Sequence, residues 1–243
     1  MKKLLVSMFA LGAFTAPAMA ADLYTPMEPI PFSWNGLYVG GHIGYGWGDK
    51  DWTLVENAGN EPSNRIGDVV TSHDVDGILG GVQLGYNHQI NSIVIGAEVE
   101  FSWTGIDGTG EWLAEGGNPD TPERNASADI NWLLTVGPKL GFAMERTLFY
   151  AEGGLAVADE DFSHLGNNNN FYTGSDTRTG WFIGAGAEHA FDDNWSARVE
   201  YNYVDLGSSE VSVSREADGG TRTAIFDVDQ DLHVIKVGLN YRF

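Results

Sequence analysis

The chain has 243 residues, a formal net charge of -21 and no cysteine. The large negative charge argues against nucleic acid as a partner, and the absence of thiols excludes disulfides and thiolate metal sites. No run of about 18 apolar residues follows residue 20, so we expect no membrane-spanning helix in the remainder of the chain.

The amino-terminal segment has the features of a secretory signal peptide. Two lysines precede an apolar run over residues 4–14, and small residues follow up to Ala20, so we predict a signal peptide over residues 1–20. Residues 21–33 contain three prolines and show no period. They are predicted to form an irregular lead-in on the periplasmic side, before one domain over residues 34–243.

The remaining chain alternates apolar and polar residues with a period of two, which is the pattern of β-strands. In the last segment Ile235, Val237 and Leu239 fall on one side, whereas Lys236 and Gly238 fall on the other. This sorting fits strands with lipid outside and a polar interior. The pattern predicts eight strands, at residues 35–47, 77–88, 93–103, 130–142, 147–158, 180–191, 195–204 and 233–243.

The connections between the predicted strands alternate in length. Short turns join the second strand to the third, the fourth to the fifth and the sixth to the seventh, whereas the other four connections are long. Short periplasmic turns and long external loops are typical of outer-membrane barrels, and only a closed barrel leaves no strand edge in lipid. We therefore predict an all-β fold, an eight-stranded antiparallel transmembrane β-barrel with four long extracellular loops, in the outer membrane of a Gram-negative cell.

Two local features refine the predicted barrel. Trp47 and Trp103 lie near the loop ends of their strands, and Phe142 and Trp195 lie near the turn ends, as two interfacial aromatic girdles require. Pro138 falls within the fourth strand and cannot donate a ladder hydrogen bond, so we expect a β-bulge there.

The inward side of the predicted strands carries glycines and charges. An eight-stranded barrel is only wide enough for side chains to fill, so large inward residues must be balanced by glycines. Two interpretations of the charges remain, catalytic carboxylates or a structural plug of salt bridges. The near balance of acids and bases favours the plug, and no catalytic residue is assigned. The predicted lumen charges are Glu98, Glu100, Lys139, Glu152, Glu188, Arg198, Glu200, Lys236 and Arg242.

The predicted external loops are strongly acidic. Such loops face an anionic outer leaflet, so we expect divalent cations to bridge them to lipopolysaccharide. Asp227, Asp229 and Asp231 place three carboxylates above the last predicted strand, but Leu232 stands where a calcium loop needs glycine. We therefore expect loose cation bridging and no dedicated metal site.

Two histidines fall in the predicted loops. His73 in the first loop and His164 in the third are candidate ligands of haemin iron, the one cofactor considered, although lone exposed histidines are usually polar surface. Asp74 beside His73 is the only candidate for a catalytic Asp-His pair, so we do not expect an enzyme. A narrow porin for small solutes remains an alternative, and the loops could contact host or environmental surface ligands.

Both ends of the domain carry a recognisable motif. WNGLYVGGHIGYGW at residues 34–47 and VGLNYRF at residues 237–243 resemble the small outer-membrane surface antigens of alpha-proteobacteria, which belong to the opacity-protein and OmpA-like eight-stranded barrels. Some members of that group are described as haemin-binding. The resemblance implies a role in envelope integrity, surface recognition or haemin binding, and it implies that Tyr241 and Phe243 form the signal for the barrel-assembly machinery.

Overall fold

The computed structural model describes residues 32–56, 66–111, 125–166, 170–217 and 220–243. The predicted signal peptide and most of the predicted lead-in lie outside these residues. The strands are β1 (Gly36–Glu56), β2 (Val69–Ile90), β3 (Ile93–Glu111), β4 (Asn125–Met144), β5 (Thr147–Gly166), β6 (Asn170–Ala190), β7 (Trp195–Ala217) and β8 (Gly220–Arg242). Each strand pairs with its sequence neighbours, and β8 pairs antiparallel with β1 to close the barrel. The predicted fold class is confirmed. Among the described residues, no helix is long and apolar enough to cross a membrane.

Three tight turns lie at the end of the barrel where β1 begins and β8 ends. Asn91 between β2 and β3 has a φ of 56°, a left-handed conformation that asparagine tolerates better than most residues. Glu145 between β4 and β5 has a φ of 53°. In the turn between β6 and β7, Asp192 Oδ1 accepts hydrogen bonds from the backbone N–H groups of Asn194 at 2.8 Å and Trp195 at 2.6 Å.

The strands extend much further from the turn end than predicted. They contain 19 to 23 residues, so most of the segments predicted as long loops continue as β-structure. The predicted strands were too short because the rule of apolar residues outside and polar residues inside reverses beyond the aromatic girdle at the loop ends of the predicted strands. We call that girdle the outer aromatic girdle. Ile78 in the membrane band points outward and is 73% exposed, whereas Trp52 above it points inward and is fully buried. Water replaces lipid around the outer part, so apolar residues turn inward there.

The inward residues fill the lumen in successive layers. From the turn end outward, the inward residues of β5 form five successive groups, which are apolar, charged, small apolar, charged and apolar. Clusters of buried apolar residues at the turn end, in the middle and near the outer end match this order. The β5 residues concerned are Leu148, Tyr150, Glu152, Ala156, Ala158, Glu160 and Phe162.

The expected bulge at Pro138 is not formed. Pro138 lies opposite Ala97 of β3 with the register unchanged on either side. On the other edge of β4, Val136 pairs with Leu155 and Lys139 pairs with Glu152, so no extra residue is inserted there either. The missing N–H group of proline therefore leaves a local gap in the ladder without a change of register.

Candidate functional site: lumen charge network and acidic collar

The lumen of the membrane-spanning part contains a compact set of ion pairs. At its centre, Arg198 Nη1 lies 2.5 Å from Glu98 Oε1, and Arg198 Nη2 lies 2.5 Å from Glu100 Oε2. Lys139 Nζ lies 2.5 Å from Glu98 Oε2. Because one guanidinium on β7 bridges two carboxylates on β3, these charge-assisted bonds tie opposite walls together. We call the following residues the lower charge network: Glu98, Glu100, Lys139, Glu152, Arg198, Glu200 and Lys236.

Two tyrosines complete the lower charge network. Tyr38 donates a hydrogen bond to Glu98, and Tyr150 Oη donates one to Glu200 Oε2 at 2.6 Å. The sequence places both inward, but it gives no sign of these partners. Glycines make the space for their rings, since a Cβ at Gly186 would lie 2.6 Å from Cζ of Tyr150. Inward glycines therefore leave space for large side chains in the lumen, as predicted.

Glu200 and Glu152 of the lower charge network differ in how closely a cation approaches them. Glu200 Oε1 lies 2.7 Å from Lys236 Nζ and accepts a hydrogen bond from Asn202 at 2.9 Å. The nearest cation to Glu152 is Lys139, whose Nζ lies 3.7 Å away. Oxygens of Glu98, Glu152 and Glu200 lie within 4.8 Å of one another, close enough to share a cation. Lys139 Nζ already contacts two of them, Glu98 and Glu152, so the arrangement favours ion pairs over a metal ion.

Glu188 and Arg242, the other two predicted lumen charges, lie nearer the turn end and form no ion pair among the described residues, so their part in the network stays a prediction. Both are buried in the lumen, but Glu188 accepts hydrogen bonds from Ser196 and from Asn240 Nδ2, the latter at 3.0 Å. The Arg242 guanidinium lies 4.4 Å from the ring centroid of Trp34 and donates to the Ser33 carbonyl at 2.9 Å. The segment before β1 folds into the turn end and holds Arg242 there.

An apolar layer lies directly above the lower charge network. Its members come from the seven strands β2 to β8. Each of these strands contributes a branched or aromatic side chain, except β5, which contributes two alanines. Moving an ion through a layer of this kind is costly, because its side chains cannot solvate a charge. Its residues are Val75, Leu79, Ile106, Ile130, Leu133, Ala156, Ala158, Phe182, Val204, Leu206, Leu232 and Val234.

A second polar group, which sequence reasoning missed, lies above the apolar layer. Lys50 Nζ lies 3.0 Å from Glu160 Oε2, and Arg178 Nη1 lies 3.7 Å from the same oxygen. Arg178 also donates to the Val228 carbonyl at 2.6 Å. Burial lowers the pKa of Lys50 to about 8, although Glu160 opposes the shift. Lys50 was assigned to the first predicted loop and Glu160 and Arg178 to the third, so no local pattern pairs Lys50 with Glu160.

The placement of both candidate haemin ligands in loops is wrong. His73 lies in β2 with its ring turned inward and only 8% of the residue exposed. Burial lowers the pKa of His73. The ring is therefore not an exposed loop ligand, and Asp74 beside it points to the opposite face. His164 lies in β5 opposite Tyr172 of β6.

Outward aspartates form a band around the barrel just above the outer aromatic girdle. They occur on every strand except β6, and many are direct cross-strand partners, such as Asp76 with Asp107 and Asp107 with Asp129. Asp227, Asp229 and Asp231 belong to this band, so their predicted position above the last strand is wrong: all three lie within β8. We call the following residues the acidic collar: Asp49, Asp51, Asp74, Asp76, Asp107, Asp129, Asp159, Asp161, Asp205, Asp227, Asp229 and Asp231.

Carboxylates directly opposite one another in a sheet repel. Partial burial, together with Asp107 and Asp161 on the neighbouring strands, raises the pKa of Asp129. Partial burial and the hydrogen bond and charge of Asp74 raise the pKa of Asp49. A cation between such pairs would relieve the repulsion.

A closed barrel with an apolar outer band between two aromatic girdles and a charged interior defines an outer-membrane β-barrel protein. The chain belongs to that family, because the family model described as "Outer membrane protein beta-barrel domain" matches residues 6–243. The predicted location in the outer membrane is confirmed with it.

The similar proteins are small outer-membrane proteins of alpha-proteobacteria, as the end motifs predicted. The chain is 34% identical over 257 residues to the 31 kDa outer-membrane immunogenic protein of Brucella melitensis biotype 1, covering 100% of both chains. It is 27% identical over 218 residues to the 22 kDa outer membrane protein of Rhizobium leguminosarum bv. viciae, covering 90% of this chain and 82% of the relative.

Solved structures show the same fold at low sequence identity. OprG from Pseudomonas aeruginosa has a TM-score of 0.56 at 13% identity, covering 86% of this chain and 96% of its own. The outer membrane protease OmpT from Escherichia coli also has a TM-score of 0.56, at 10% identity, covering 89% of this chain and 99% of its own. At these identities the likeness concerns the fold alone.

Proposed function

We propose that this protein is a non-enzymatic structural barrel of the outer membrane whose acidic collar binds the anionic outer leaflet through divalent cations. The observation that carries the proposal is the acidic collar itself, with aspartates facing aspartates across neighbouring strands. The names of the Brucella relatives, outer-membrane immunogenic proteins, support a role at the cell surface.

The position of the collar explains why a cation is needed. The outer aromatic girdle marks the level of the lipid headgroups, and the collar begins one or two residues above it, for example at Asp49 after Trp47. Lipopolysaccharide carries phosphates at that level, so carboxylates and phosphates would repel across a short distance. Mg²⁺ and Ca²⁺ prefer oxygen ligands and would link the two layers.

The experiment measures thermal unfolding of the full mature chain in vesicles of lipopolysaccharide and in vesicles of phosphatidylcholine, with and without Mg²⁺. We expect Mg²⁺ to raise the unfolding temperature in lipopolysaccharide only, and the double variant Asp107→Asn with Asp129→Asn to reduce the effect. The matched control removes two charges at the turn end, through Glu145→Gln and Asp193→Asn. Equal Mg²⁺ effects in both kinds of vesicle would contradict the proposal.

The layered lumen supports a barrel that does not conduct, as opposed to a narrow porin. An ion would have to break the lower charge network and then cross the apolar layer without compensation. Single-channel recording of the full chain in planar bilayers tests this directly. We expect no steady conductance, and a persistent open pore would favour the porin alternative.

A further inference from the structure

Among the residues that the structure describes, the lower half of the lumen contains one more carboxylate than it has cations. Besides these groups, the titratable residues there are His42, Tyr38 and Tyr150, and β2 contributes only neutral side chains such as Gln83 and Asn87. An uncompensated carboxylate in a low-dielectric interior is very costly, so the excess charge must be removed. The buried carboxylates are Glu98, Glu100, Glu152, Glu188 and Glu200, and the buried cations are Lys139, Arg198, Lys236 and Arg242.

Glu152 is the buried carboxylate with the fewest compensating contacts. Glu188 has no ion pair among the described residues, but it accepts hydrogen bonds from Ser196 and Asn240. Glu98 lies 2.5 Å from both Lys139 and Arg198, and Glu100 contacts both Arg198 and Lys236. Glu152 is 8% exposed, has Lys139 at 3.7 Å, and forms no hydrogen bond with any residue in the described part of the chain. The excess negative charge therefore falls on Glu152.

The surroundings of Glu152 make its ionised form unfavourable. Its oxygens lie within 4.8 Å of those of Glu98 and Glu200, which are ionised because each contacts two cations. Carboxylates that share a site cannot all carry a charge without a counter-ion. Lys139 is already committed to Glu98, so a proton on Glu152 is the smallest change that removes the excess.

His42 is the other group that could take this proton. Its Nδ1 lies 2.8 Å from Gln83 Oε1 and its Nε2 lies 2.9 Å from Ser102 Oγ, so a neutral ring satisfies both nitrogens. The nearest carboxylate, Glu100, lies 3.6 Å away and already contacts two cations. A charged imidazole would add a third cation beside Arg198, and the proton is better placed on Glu152.

We propose that Glu152 is a proton-binding site within the membrane-spanning lumen and that it carries one proton at neutral pH. The proton makes the buried charges balance, so the barrel is packed with a neutral set of ion pairs. Loss of the proton at alkaline pH leaves a third carboxylate charge beside Glu98 and Glu200 and weakens the barrel from within. This inference is independent of the proposed cation bridging, because it is tested in detergent without lipopolysaccharide or divalent cations.

Infrared difference spectroscopy of the full mature chain in detergent tests the proposal. We expect a C=O stretching band of a protonated carboxyl group at pH 7, lost in Glu152→Gln and retained in His42→Gln. Absence of the band in the unsubstituted protein, or its survival in Glu152→Gln, overturns the proposal. A change in the band when Na⁺ is replaced by choline would show that a metal ion compensates the charge of Glu152, and this result would overturn the proposal as well.

Unfolding experiments give an independent measure. We expect Glu152→Gln to unfold at the same temperature as the unsubstituted protein or above it, because it fixes the neutral form. The matched substitution Glu98→Gln removes a carboxylate that two cations need, and it should lower that temperature. Relative to Glu152→Gln, the unsubstituted protein should lose stability as the pH rises from about 4, where an unfolded glutamate releases its proton, until the folded barrel releases the proton of Glu152 at alkaline pH. Equal losses in Glu152→Gln and Glu98→Gln would contradict the proposal.

Discussion

Replacement of Arg198 by alanine is the sharpest perturbation of the lower charge network. Its guanidinium lies 2.5 Å from both Glu98 and Glu100, and 3.5 Å from Glu200, with the side chain fully buried. After the substitution, Lys139 and Lys236 are the cations that still contact these carboxylates in the described part of the chain. The interior of the barrel then holds negative charge without compensation, in a medium that solvates it poorly.

The expected loss of stability follows from the buried carboxylates that lose a cation. Removing one partner of a buried ion pair typically costs about 3–5 kcal/mol of unfolding free energy. At about 2–4 °C per kcal/mol for a chain of this size, the unfolding temperature should fall by about 6–20 °C. Because Arg198 bridges two carboxylates, the cost belongs at the upper end of that range. Arg198→Lys keeps the charge but loses the second contact, so it should cost less.

The assay is thermal or urea unfolding of the refolded barrel in detergent, followed by tryptophan fluorescence and by mobility of the folded form in gels. Arg146→Gln serves as the matched control, because it removes a cation from an exposed ion pair with Asp193 at the turn end. It should change the unfolding free energy by less than about 1 kcal/mol. An Arg198→Ala barrel as stable as the unsubstituted protein would refute the structural role of the lower charge network.

Three further predictions concern the rest of the lumen. Burial lowers the pKa of Lys50 from 10.5 to about 8, so between these pH values the unfolded chain binds one proton more than the folded chain. As the pH rises through this range, the contribution of Lys50 to the unfolding free energy should rise by about 3 kcal/mol. The Lys50→Met variant should lack this increase when unfolding is measured against pH. Gly186→Val pushes a side chain into Tyr150 and should cost about 1–3 kcal/mol, whereas the outward Ala185→Val should be nearly neutral in the same assay. Trp34→Ala removes the fully buried ring beneath Arg242 and should cost about 3–5 kcal/mol; an unfolding temperature that does not move would show that the turn end needs no such cap.

The membrane-spanning part of the fold was predictable because its signal is local. Ile235, Val237 and Leu239 face lipid simply because they alternate with Lys236 and Gly238, and a period of two needs no knowledge of the partner strand. Eight such segments, joined by alternating short and long connections, were enough to specify a closed barrel. The same alternation placed Glu98, Lys139 and Arg198 inside the lumen.

The tertiary structure decided what alternation cannot specify, namely where each strand ends and which charges meet. The sequence rule of apolar residues outside fails above the girdle, where water replaces lipid and Trp52 turns inward, so the strands were predicted too short. The contact between Lys50 and Glu160 joins residues 110 positions apart in the chain. Such contacts depend on strand register and on closure of the barrel, and both are non-local. For the same reason only the folded barrel shows that Lys139, the cation next to Glu152, lies closer to Glu98 than to Glu152.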